Sequence, residues 1–81
     1  MPYITKEKKE ELATGRLVKD PGELNYLITL QLKNYMYDKT LSYQVINDII
    51  GALEGAKLEF YRRVALPYEN GKISENGDIY S

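Results

Sequence analysis

The chain has 81 residues and a net charge of −1, with eight tyrosines, one phenylalanine and no tryptophan, histidine or cysteine. That length allows one small domain, and the near-neutral charge argues against a partner in duplex nucleic acid, which selects for a basic excess. Without His or Cys there is no Ser-His-Asp triad, no thiol nucleophile, no disulfide and no conventional zinc site.

Residues 1–19 open with Thr5, which can cap a short helix to about Leu12 before Thr14-Gly15 stops it. The run Lys6-Glu7-Lys8-Lys9-Glu10-Glu11 nets to zero and reads as a solvated face, with chiefly Leu12 and Ala13 to pack. Gly15 to Lys19 form a connector.

Residues 20–39 begin at Asp20-Pro21-Gly22-Glu23, a helix start with an N-cap, a proline at the first helical position and capping-box spacing to Glu23. Leu24, Leu27, Ile28, Leu32, Tyr35 and Met36 then recur at helical spacing. The segment should end near Asp38-Lys39.

Residues 42–66 form the longest expected helix, capped by Thr40 or Ser42. Val45, Ile46, Ile49, Ile50, Leu53, Phe60, Tyr61 and Val64 make a broad apolar face, along which the Lys57 stem can lie. Pro67 is expected to end it at Ala65 or Leu66, giving a helix roughly 33 Å long. Gly51, Ala52, Gly55 and Ala56 predict a close approach, either to the second helix or to another copy of the third.

Residues 67–81 change character, with two Asn-Gly dipeptides. Ile73 and Ile79 flank Asn76-Gly77, so Lys72–Ser74 are expected to pair with Asp78–Tyr80 in a small β-hairpin. A lone hairpin of that size is unstable and should dock on the helices or on another subunit.

The expected fold is therefore mainly α: a single domain, residues 1–81, holding a helical hairpin with a short N-terminal helix and a C-terminal β-hairpin. Two substantial helices cannot close a core around such broad apolar faces, which predicts a homo-oligomer. No apolar run reaches the roughly 20 residues that span a bilayer, and the first residues lack the basic and apolar stretches of a signal peptide. The chain reads as cytoplasmic, with no membrane partner.

The adjacent arginines Arg62 and Arg63 carry the sharpest chemical signal. Guanidinium forks match phosphate oxygens, and Tyr61 and Tyr68 could stack on a base, so these four residues could bind an anionic aromatic ligand such as a nucleotide. The alternative is that the arginines complement the helix dipole and pair with local acids such as Glu59. No acidic cluster has metal-ligand spacing, Asn76-Gly77-Asp78 lacks a calcium-loop pattern, and no phosphate-binding glycine loop occurs. No cofactor, no metal and no enzymatic activity are expected.

Met1-Pro2-Tyr3-Ile4, Gly22-Glu23-Leu24-Asn25-Tyr26, Ile46-Asn47-Asp48-Ile49-Ile50-Gly51-Ala52-Leu53-Glu54, Lys57-Leu58-Glu59-Phe60-Tyr61-Arg62-Arg63-Val64, Pro67-Tyr68-Glu69 and Glu75-Asn76-Gly77-Asp78-Ile79-Tyr80 together resemble a family of small uncharacterised phage, prophage and bacterial proteins. The resemblance covers nearly the whole chain and implies a free-standing, phage-encoded protein acting in the host cytoplasm. By analogy of size, oligomery and Tyr/Arg content, it suggests a non-enzymatic protein that sequesters a cyclic-nucleotide immune signal between subunits, in evasion of host defence. The alternative is a protein–protein interaction module, an inhibitor of a host protein or an assembly factor, with tyrosines as interface anchors.

Overall fold

The computed structural model describes residues 4–80, which are mainly α-helical and contain no β-strand. They form α1 (Lys6–Ala13), α2 (Pro21–Met36), α3 (Tyr43–Phe60), a π turn (Tyr61–Ala65) and α4 (Leu66–Asn76). The chain divides into two compact units, Met1–Leu41 and Ser42–Ser81.

Each of the first three helices begins on a residue suited to the orphan amides of a helix N-terminus. The Thr5 hydroxyl accepts from the Lys8 amide at 3.2 Å, the Asp20 carboxylate from the Glu23 amide at 2.8 Å, and the Ser42 hydroxyl from the Val45 amide at 3.2 Å. Gly15 follows α1 at φ 91°, a conformation that favours glycine, and its amide donates to the Leu12 carbonyl at 3.0 Å.

In the first unit α1 and α2 are tied mainly by charge. Leu12 is the one buried apolar residue among those described, and Glu23, only 2% exposed, is the one buried polar residue. The Arg16 fork donates to both Glu23 carboxylate oxygens, at 2.8 and 3.1 Å, and the Lys19 amide donates to the same group at 2.9 Å. The expected capping box is therefore altered: Glu23 reaches the amide of Lys19, one residue before the cap, rather than that of Asp20. Lys8 adds contacts of 3.6 Å to Asp20 and 3.7 Å to Glu23, and its neighbour Lys9 sits 5.8 Å from the centre of the Tyr26 ring. A helix with few apolar side chains thus docks through a shared buried carboxylate.

The second unit departs from expectation. The helix does not stop at Ala65 or Leu66, and the C-terminal β-hairpin expected over residues 72–80 is absent; helical backbone runs from Tyr43 through Pro67 to Asn76. Proline has no amide hydrogen, and its ring crowds the carbonyl four residues earlier, here that of Arg63. The π turn placed just before it widens the helix, with the Leu66 amide donating to the Tyr61 carbonyl five residues back. Because α4 extends an existing helix it bears no nucleation cost, so Asn70-Gly71 is carried inside it rather than forming a turn. Asn76-Gly77 serves as the helix end: Gly77 takes φ 86°, and its amide donates to the Ile73 carbonyl at 2.8 Å. The two signals share residues because both need a backbone that glycine tolerates.

None of residues 42–80 is buried. A Cβ added at Gly51 or Gly55 would meet nothing within 4 Å, so neither glycine marks the close approach expected of it among the described residues.

Candidate functional site

The four residues singled out from the sequence lie on and just beyond the π turn, but they do not converge on one pocket. Arg62 and Arg63 both turn back towards α3 and share one carboxylate. Arg62 donates to Glu59 at 2.9 and 3.1 Å, and the Arg63 Nε also bonds Glu59. Both guanidinium groups remain well exposed, at 66% and 70%. Such exposed pairs are weak individually, so the two cations are held loosely and only partly neutralised.

Tyr61 and Tyr68 have different partners. The Tyr61 hydroxyl donates to Glu69 Oε2 at 2.9 Å across an eight-residue separation. Glu69, as hydrogen-bond acceptor first and as a nearby negative charge second, pushes the phenol of Tyr61 above its ordinary value. Tyr68 lies under the Lys72 ammonium, 5.6 Å from the ring centre, a cation–π arrangement.

Tyr68, Glu69, Lys72 and Ile73 of α4, with Gly77, Asp78, Ile79 and Tyr80 turned back beside them, line an open hollow of about 470 Å³. The Tyr80 amide donates to Asp78 Oδ1 at 2.8 Å and fixes the turn-back. Of the expected ligand-binding residues Tyr68 alone lines this hollow; Tyr61 reaches its edge through Glu69, while Arg62 and Arg63 are not part of it. The lining holds one ammonium and two carboxylates, and Lys72 also bonds Glu75 at 3.4 Å, which suits an apolar or cationic group better than a phosphate.

The larger chemical feature is the side of α3. Ile50 is 59% exposed and Phe60 64%, Ile46 and Leu53 are also open, and Val64 in the π turn beyond them is 52% exposed. A row of this kind, longer than any scattered surface apolar residue, is the ordinary mark of a contact face.

The sequence reading missed the Arg16–Glu23 ion pair and the part played by Glu69. Glu69 stands eight residues after Tyr61, a separation that α-helical periodicity places on different sides. Only an extra residue of π turn brings the two into phase.

Among the described residues no group of three or more acidic side chains could hold a metal ion, and no helix is long and apolar enough to cross a membrane. What the fold defines is a small, mainly helical protein with exposed apolar side chains along a helix. The chain belongs to the family described as a domain of unknown function, DUF6899, whose model matches residues 1–79. No curated protein and no solved structure matches it.

Proposed function

We propose that this is a non-enzymatic binding protein whose working surface is the apolar side of α3, used as a protein–protein interaction face. The supporting observation is the exposure of Ile46, Ile50, Leu53 and Phe60 on α3, with Val64 of the π turn beyond them, among residues 42–80, none of which is buried. An isolated helix gains little in water without an apolar face to bury, and the aromatic and branched side chains here are the types that anchor interfaces. A photo-crosslinking side chain at Ile50 should give a discrete adduct in cells, and one at Asp48, a polar position on the same helix, should not. Equal or absent labelling at both positions overturns the reading.

A second reading, sequestration of a small anionic ligand such as a cyclic-nucleotide signal, is favoured by one observation: two exposed guanidinium groups share the single Glu59 carboxylate. A phosphate could displace that carboxylate from either fork. Calorimetric titration with cyclic di- and trinucleotides tests it. An arginine making charge-assisted phosphate contacts should cost about tenfold or more in affinity when lost, in Arg62→Ala or Arg63→Ala. Absence of heat with wild type, or unchanged affinity in both variants, removes the nucleotide reading. Recovery of intact ligand supports sequestration, and degraded ligand points to an enzyme. Phage origin and action against host defence remain part of this second proposal.

A further inference from the structure

We infer that the partner seated on this face is a second copy of the chain, with the two α3 helices running antiparallel about Gly55; this rests on the interaction-face reading above. Within α3, Ile46, Ile50, Leu53, Lys57 and Phe60 recur at alternate steps of four and three residues. That average of 3.5 is the period of a helix-to-helix seam, in which the apolar row stays in contact along the whole length of a partner helix. A sheet edge or a globular pocket sets no such period, so the occupant is another long helix.

Self-pairing follows from how the row reads in reverse. Turned end for end about Gly55, Ile50 meets Phe60 of the second copy and Leu53 meets Lys57, while Ile46 comes opposite the π turn that follows α3. Each contact then repeats by two-fold symmetry, as an isologous interface requires.

Charge selects this direction. Lys57 interrupts the apolar row, and in its own chain its ammonium lies 3.6 Å from Glu54. A parallel pair would set Lys57 against Lys57 in the seam, where like charges repel. The antiparallel pair sets each Lys57 beside Glu54 of the other copy, closing a cluster of two cations and two anions. A polar residue in such a row fixes direction and register at some loss of strength. Helical spacing turns Gly51 and Gly55 away from the seam.

The chain has no cysteine, so single introduced thiols report contacts directly. Full-length Ile50→Cys and Phe60→Cys chains of different tag size are mixed and oxidised. The expected product is the 50–60 heterodisulfide, with self-linked Ile50→Cys dimer minor. Predominance of the 50–50 product means parallel pairing and overturns the inference. Sedimentation should show concentration-dependent dimer in wild type, and Lys57→Leu should tighten it by about tenfold or more. An unchanged dissociation constant for Lys57→Leu overturns the inference, because Lys57 is then off the seam. A monomer at all concentrations also overturns it, and thiol labelling at position 50 separates the two levels of failure. A freely labelled thiol leaves the face open for a different protein. A shielded thiol means the chain covers its own face, and the interaction reading falls as well.

Discussion

The hydroxyl of Tyr61 donates a hydrogen bond to the carboxylate of Glu69, 2.9 Å away, although the residues stand eight apart on one helical run. Two turns of α-helix return to phase after about 7.2 residues. The π turn Tyr61–Ala65 supplies the difference, and it stands where Pro67 would otherwise crowd the carbonyl of Arg63.

Replacing the proline should therefore be felt at the phenol. In Pro67→Ala the turn loses its cause, the helix tightens, and Tyr61 swings out of reach of Glu69. Because Glu69 holds the phenol above 10.0, its titration should fall towards the ordinary range in both Pro67→Ala and Glu69→Gln. A raised phenol favours the folded state fully below the unfolded pKa and loses that contribution as pH rises through the folded value. Site-specific carbon labelling of tyrosine, followed through alkaline pH by nuclear magnetic resonance, checks this. An unmoved Tyr61 in Pro67→Ala would show that the π turn has another origin.

Glu23 sets the acid limit of the first unit. Hydrogen bonds from Arg16 first, and from the Lys19 amide second, hold its carboxyl at about 2 against an ordinary 4.5, despite the opposing cost of burial. A depressed carboxyl contributes fully above its unfolded pKa, and the contribution drains away as pH falls through the folded value. Stability from this group should thus be level above about pH 5 and decline between there and pH 2. Glu23→Gln should flatten that decline and lower stability at neutral pH, more than Asp20→Ala does, whose lost N-cap should cost about 1 kcal/mol. Urea midpoints measured across acid pH for the three proteins decide it.

Gly51 and Gly55 have open space where a side chain would stand. Alanine at either position should stabilise α3 by about 0.5–1 kcal/mol, by reducing the freedom of the unfolded chain without a clash. Thermal melts at fixed protein concentration read this. Destabilisation, or a change of oligomer mass, would instead place the glycines at a close helix crossing.

Gly77 should not tolerate the same change. Its φ of 86° with ψ 159° belongs to a region nearly exclusive to glycine. Gly77→Ala should cost about 1–3 kcal/mol locally, fraying the last turn of α4 and releasing Ile79 and Tyr80 from the hollow beside Tyr68. Faster amide exchange at residues 73–80, with α3 unaffected, is the expected signature.

The helix starts were legible because caps are local chemistry: Thr5, Asp20 and Ser42 each bond the amide three residues on. The pairing of Arg62 and Arg63 with Glu59 was legible for the same reason, as neighbours three and four apart on a helix. Arg16 and Glu23 meet across a change of chain direction, where no helical period applies. Pro67 misled because its usual effect assumes ordinary α geometry before it, and Asn76-Gly77 misled because a hairpin turn and a helix end draw on the same residues. In each failure the local preference was real and a neighbouring element used it differently.

The π turn also has a consequence for how this chain can vary. It amounts to one residue spliced into a helix, and each α-helical residue turns the axis by about 100°. Deleting a single residue between 61 and 65 would restore plain α geometry and swing everything beyond it, the Tyr68–Tyr80 hollow included, around the rod, leaving the side chains of α3 where they are. One insertion or deletion event can therefore re-aim the hollow against the α3 residues from Ile46 to Phe60 without touching a residue of either. The turn is a hinge in sequence space, positioned between α3 and the hollow.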